Sequence, residues 1–395
     1  MRLICAGVPI SDGCAPVNVS LVPGAYGDLY GTSEAGGSAC SHAGSGTISK
    51  ITPGGVLTPL SNFPSSRRGI NPVVGLDLAA DGNFYEATMY DGANKLGTIF
   101  RFTPDGEVKT LCESSPASGV ANLLVQAADG NVCGTGDCDF FGHNCGTALT
   151  VLYNFNGTDG SIPSRLIQAS HDEFYGATSG GGANGDGTVF EITADSVLTT
   201  LHSFNGSDGS GPTGGVIEAM DENFPNGDFY GTMAGDGALG DGTVFKLTRD
   251  GALTTLHSLD GSVGQNPGSA LVQGTDGNLC GTADMGGSSG DCPLGDGCGT
   301  VFQVIPGGAL TNLHSLFGTD GGNPLGSGLV QGTDGRLYGV TDGFSASAGS
   351  GSIVCISVGL EPFVKLMPPG ATTGKVRVAT PNGMLLSGGP FLVRP

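Results

Sequence analysis

Short apolar runs recur along the whole chain, most of them alternating with polar positions, and Asp-Gly, Pro-Gly and Gly-Gly steps separate them. The stretch 266–317 shows the pattern most cleanly. Pro267 leads into Leu271-Val272-Gln273, then an Asp276-Gly277 turn, Leu279 to Ala283, a Gly-rich loop, Gly299 to Val304, a Pro306-Gly307-Gly308 turn and Leu310 to Leu316. Alternation with period two, bounded by turn residues, is the signature of half-buried strands. Four such runs joined by tight turns predict a four-stranded antiparallel meander. No segment carries the spacing of an amphipathic helix.

The meander is repeated. A first anchor reads Tyr30-Gly31-Thr32, Tyr85-Glu86-Ala87, Cys133-Gly134-Thr135, Tyr175-Gly176-Ala177, Tyr230-Gly231-Thr232, Cys280-Gly281-Thr282 and Tyr338-Gly339-Val340. A second follows each: Gly46-Thr47-Ile48, Gly97-Thr98-Ile99, Gly146-Thr147-Ala148, Gly187-Thr188-Val189, Gly242-Thr243-Val244, Gly299-Thr300-Val301 and Gly351-Ser352-Ile353. A lone meander cannot bury its faces, so the copies must pack face to face, and the period suits a ring. The expected fold is therefore all-β: a seven-bladed β-propeller of four-stranded antiparallel blades over residues 1–360. A C-terminal extension, 361–395, carries a β-hairpin. The seventh unit lacks a fourth strand, while Leu3-Ile4-Cys5 resembles one without its blade, so the N-terminal strand is expected to close the ring. Unit three is short, with its third and fourth strands merged between Gly146 and Phe155.

Composition narrows the function. Of 395 residues 74 are Gly and only 13% are charged, but Gly does not recur at every third position and 38% of residues are apolar, so the chain is neither collagen-like nor disordered. With 36 acidic against 15 basic residues the net charge is −21, which repels a phosphate backbone and excludes nucleic acid as a partner. No apolar stretch approaches the 18 or so residues of a membrane span. Eleven cysteines without Cys-x2-Cys spacing point to local disulfides, Cys138 with Cys145 and Cys292 with Cys298, and so to an extracellular or cell-surface location. Met1 to Ile10 makes a poor secretory signal, so a leader is expected to be absent from this numbering.

The strings Leu-Val-Gln-Gly-Thr-Asp-Gly-Asn-Leu (271–279), Gly-Thr-Val-Phe (187–190) and Leu-Thr-Thr-Leu-His-Ser-Phe (198–204) resemble the GloVer tandem repeat of bacterial surface and secreted proteins, over roughly residues 1–360. The resemblance implies a repeat architecture and an extracellular location, and it brings no catalytic residues. Residues 371–393 resemble the last strands of an IPT/TIG domain. Val376, Val378, Phe391 and Val393 mark the strands expected around the Pro381-Asn382-Gly383 turn.

Chemistry would show as a constellation that breaks the repeat. His202, His257 and His314 recur at one fourth-strand position and read as structural, while His143, near Asp137 and Asp139, reads as a solvated loop residue. Neither a metalloprotease, nucleophile-elbow nor P-loop string is present. Asp159, Asp208 and Asp320 recur in the loops before first strands. They read as Asx turns, and Ca2+ is the one cofactor they offer to hold. Gln126, Gln168, Glu218, Gln273 and Gln331 share a first-strand position that lines a propeller channel, a set broken by Pro23 and Leu78. The reading is thus a non-enzymatic structural or assembly protein, a self-associating filament or surface-layer subunit linked through its tail. A glycan-binding propeller is the alternative, and a polysaccharide hydrolase or lyase ranks third.

Overall fold

The computed structural model describes residues 4–9, 13–14, 377–380 and 383–386, together with 21–356 outside 25–26, 34, 37–45, 54, 64–69, 73–75, 91–97, 114–121, 127–131, 137–148, 171–172, 222–223, 289–291, 293–296, 306, 318–321, 325–327 and 342–351. Among these residues every regular element is a strand. The chain divides into two compact units, Met1–Val358 and Gly359–Pro395.

In the first of these the strands form small sheets in a β-propeller arrangement. Unit five is typical: Val216–Asp221, Phe224–Met233, Thr243–Leu247 and Leu253–Ser258 pair antiparallel in chain order. Six of the units build such blades, in place of the expected seven. Unit three gives only a three-stranded sheet, Asn122–Gln126, Val132–Gly136 and Leu149–Asn154, and its last pair is parallel. The cause is visible in the sequence. Leu149 to Phe155 matches the fourth-strand string Leu198 to Phe204, so a fourth strand has moved into the third position while keeping its own direction.

The N-terminal strand Ile4–Pro9 completes the last blade, pairing antiparallel with Ser352–Ile356, and Ile4 lies opposite Ile356 and Cys5 opposite Cys355. Apolar residues form layers between neighbouring units rather than cores within them. Tyr175, Val189 and Phe204 of unit four pack with Phe229, Met233 and Phe245 of unit five. Leu29 and Ile51 of unit one pack likewise with Val340 and Ile353 of unit seven, so the layering runs across the two ends of the chain.

The anchors follow from close approach. A Cβ on Gly176, Gly231 or Gly281 would come within 2.5–2.7 Å of the Phe190, Phe245 or Phe302 ring. At the second anchor Gly187, Gly242 and Gly299 have φ of +98°, +93° and +95°, and a Cβ there would strike the preceding strand's carbonyl and the next unit's Pro212, Pro267 or Pro324. The anchor hydroxyls are buried in pairs, Ser33 with Thr47 at 2.7 Å and Thr178 with Thr188 at 2.8 Å, which satisfies polar groups that burial would otherwise penalise.

In the second compact unit, Arg377–Thr380 pairs antiparallel with Gly383–Leu386. Val378 lies on the first strand as expected. The return strand, however, begins at Gly383 rather than near Phe391, because a two-residue connection brings the chain straight back. Val376, Phe391 and Val393 lie outside the described residues.

Candidate functional site

The polar first-strand set makes hydrogen bonds along and across the seams. Glu218 of unit five accepts from the Ser170 amide at 2.9 Å and from its hydroxyl at 2.7 Å, across the seam in unit four. Gln331 of unit seven accepts from the Thr275 amide of unit six at 3.1 Å. Gln273 donates to the Gly277 carbonyl of its own turn at 3.2 Å. In units five, six and seven these side chains clamp the blade to the turn of the unit before it or to its own turn. Gln168 sits on the equivalent strand Ile167–Gln168, and the side chain of Gln126 lies outside the described residues.

The loop aspartates serve the fourth strands. The Tyr153 hydroxyl donates to Asp159 at 2.6 Å, while His202 Nε2 lies 3.0 Å from Asp208 Oδ2. Each carboxylate also accepts from a backbone amide three residues earlier, Asn156 and Asn205 respectively. A spacing of six residues therefore joins the fourth-strand Tyr or His to its aspartate, a signal readable in the sequence. His314 and Asp320 share that spacing, although Asp320 lies outside the described residues. Among the described residues no three His, Cys, Asp or Glu side chains converge as metal ligands. Cys292 and Cys298 are disulfide-bonded, whereas Cys138 and Cys145 lie outside the described residues.

The repeat is broken in unit four. In units one, two and five the residue paired across from the anchor tyrosine is a cation: Lys50 opposite Tyr30, Arg101 opposite Tyr85 and Lys246 opposite Tyr230. Lys50 then pairs with Asp28 at 3.1 Å, and Lys246 with Asp228. In unit four the residue opposite Tyr175 is Glu191, and Glu173 stands where Asp28 and Asp228 stand. Two carboxyls therefore meet where units one and five oppose charges. Burial pushes the Glu191 carboxyl up, and the charge of Glu173 and a hydrogen bond with it push further the same way.

The missing cation comes from the next unit. Arg249 occupies the turn position that holds Pro53, Pro104, Ala194 and Pro306 elsewhere. Its Nη2 lies 3.2 Å from Glu173 Oε2 and 3.4 Å from the Tyr175 hydroxyl. Glu173, Glu191, Asp228, Lys246 and Arg249 line a cleft of about 830 Å3 between units four and five. No single residue of this set announces itself; aligning the units on their anchors exposes both exchanges.

Burial pushes the Cys280 thiol up to about 12, which leaves it an inert hydrophobe, and pushes the Asp284 carboxyl up to about 6.

Comparison with known proteins fits this architecture. The family model described as Gloeobacter/Verrucomicrobia repeat matches residues 139–292 and 223–387. No curated protein matches the chain. Among solved structures, the extracellular domain of a hybrid two-component system from B. thetaiotaomicron superposes with a TM-score of 0.54 at 12% identity, covering 93% of this chain and 41% of that one. The chain thus spans about two fifths of that structure's length. An α-L-arabinanase from Penicillium chrysogenum, solved with arabinobiose, gives a TM-score of 0.50 at 13% identity, covering 90% and 98%. At such identities the likeness is one of fold.

Proposed function

The chain belongs to the Gloeobacter/Verrucomicrobia repeat family, and from that premise we propose that it is an extracellular binding propeller that holds a saccharide in the cleft between units four and five. The observation that carries this is the double departure from the repeat, Glu191 in place of a cation and Arg249 in place of a turn residue, at the wall of one cleft. Paired carboxyls accept from vicinal hydroxyls, and Arg249 and Lys246 donate to ring and hydroxyl oxygens. The cleft volume of about 830 Å3 suits a short oligosaccharide. The Tyr175 and Tyr230 rings are buried and offer no stacking platform, so binding rests on hydrogen bonds.

Hydrolysis fits the pair poorly. Glu173 is close enough to Glu191 to raise its carboxyl, and Arg249 ties up Glu173 at 3.2 Å, whereas glycosidase carboxyls stand about 5 Å or more apart with the sugar between them. The Cys292–Cys298 disulfide supports an oxidising, extracellular location. Among the described residues no helix is long and apolar enough to cross a membrane.

Titration calorimetry of the full chain against arabinan, xylan, cellulose and chitin oligosaccharides tests the reading. Glu191→Lys, which places there the kind of cation found in units one, two and five, is expected to weaken binding at least about tenfold, the loss of one to two charged hydrogen bonds. Undiminished binding by that variant removes the cleft as the site, and no binding by the parent protein removes the function.

An assembly subunit is the second reading, and one observation favours it. Unit three keeps only three strands where the other units build four or more, and a two-stranded hairpin such as that of the tail is marginal alone. Sedimentation of the full chain and of a chain ending at Glu361 separates the readings. Large particles lost on truncation favour assembly through the tail, and equal sizes reject it.

A further inference from the structure

Six of the seven first anchors place Gly after the anchor residue, at Gly31, Gly134, Gly176, Gly231, Gly281 and Gly339, and unit two places Glu86 there. The side chain is carried into the seam with unit one and is 2% exposed. Oε1 accepts from the Thr32 hydroxyl of unit one at 3.0 Å, and Oε2 is buried without a hydrogen-bond partner among the described residues.

Among the described residues no charged side chain bonds to it. Across its own sheet Glu86 pairs with Phe100, and the apolar layer of the seam is built from Tyr30, Ile48, Phe63, Phe84 and Phe102. Of the described charged groups of these two units, Lys50 pairs with Asp28 at 3.1 Å and Arg101 with Asp81 at 3.9 Å, Asp105, Glu107 and Lys109 are exposed, and Asp77 lies across the sheet from Tyr85. A carboxylate so placed would be an unpaired buried charge, which proteins avoid by keeping the proton.

We propose that Glu86 makes the seam between units one and two a proton-held joint, closed while the side chain is a neutral acid and loosened when it ionises. Burial holds the carboxyl well above its ordinary range, against the smaller opposing pull of the Thr32 bond. The sign follows. The folded chain keeps a proton that the unfolded chain has released, so stability is intact below the ordinary glutamate range and falls as pH rises toward the raised folded value.

The test compares thermal unfolding of the full chain with that of Glu86→Gln and Glu86→Gly from about pH 4.5 to 9. Gln keeps the shape and cannot ionise, and Gly is the residue of the other units, so one variant covers any misfolding of the other. Either variant is expected to gain on the parent protein as pH rises, by about 5 °C in Tm at the alkaline end. Hydrogen exchange of 29–33 and 84–87 should accelerate with pH beyond the intrinsic rate in the parent alone. Parallel stability curves for parent and both variants, or variants that lose ground as pH rises, overturn the proposal.

Discussion

Deleting residues 1–10 is expected to lower the Tm of the propeller by more than about 10 °C and to leave the protein prone to aggregation. Ile4–Pro9 is the outer strand of the sheet it shares with Val330–Gln331, Leu337–Thr341 and Ser352–Ile356. Without it, Ser352–Ile356 becomes an edge. That strand carries Ile353, Val354, Cys355 and Ile356, all buried in the intact protein, so the new edge is long and apolar. Calorimetry and light scattering report both effects, and a deletion variant melting with the full chain would show that the strand does not close the blade.

Replacing Cys355 by Ser is expected to be nearly as damaging. Cys355 is disulfide-bonded, and the register sets Cys5 opposite it, so the expected bond joins the N-terminal strand to the third strand of the last unit. A bond closing about 350 residues restricts the unfolded chain strongly, and its loss should cost about 3–5 kcal/mol. Non-reducing peptide mapping should recover the peptide of Cys5 joined to that of Cys355. Recovery of Cys355 with another cysteine refutes the pairing, and a Ser variant as stable as the parent refutes its importance.

Much of this fold was legible in the sequence because its punctuation is physical. Gly187, Gly242 and Gly299 are glycine because φ is positive and two backbones meet there, so they recur at fixed spacing and betray the period. Complementary deficits at the two ends revealed the closing strand. Strand direction was not legible from alternation, which at Leu149 to Phe155 marks a strand but not whether its neighbour runs with or against it; only the match to the fourth-strand string Leu198 to Phe204 accounts for the parallel pair in unit three. In the tail, Gly383 opens the strand Gly383–Leu386 where the sequence reads it as the end of a turn, because glycine suits either place. The cleft was hidden by averaging. Glu191 and Arg249 are ordinary in isolation, and they become informative only beside Lys50, Arg101 and Lys246, or beside Pro53, Pro104 and Pro306.

The shared sheet at the two ends of the propeller also sets how it responds to tension. Ile4 lies opposite Ile356, so both ends of the chain leave that strand pair on the same side. A pull applied between them peels hydrogen bonds one at a time instead of shearing a whole ladder together, which is the weak direction for a sheet. The second pair from that end is Cys5 and Cys355. A covalent bond there stops the peel after a single step and transfers the load to the backbone, so the oxidised propeller should withstand tugging by a tethered ligand that would unravel the reduced one.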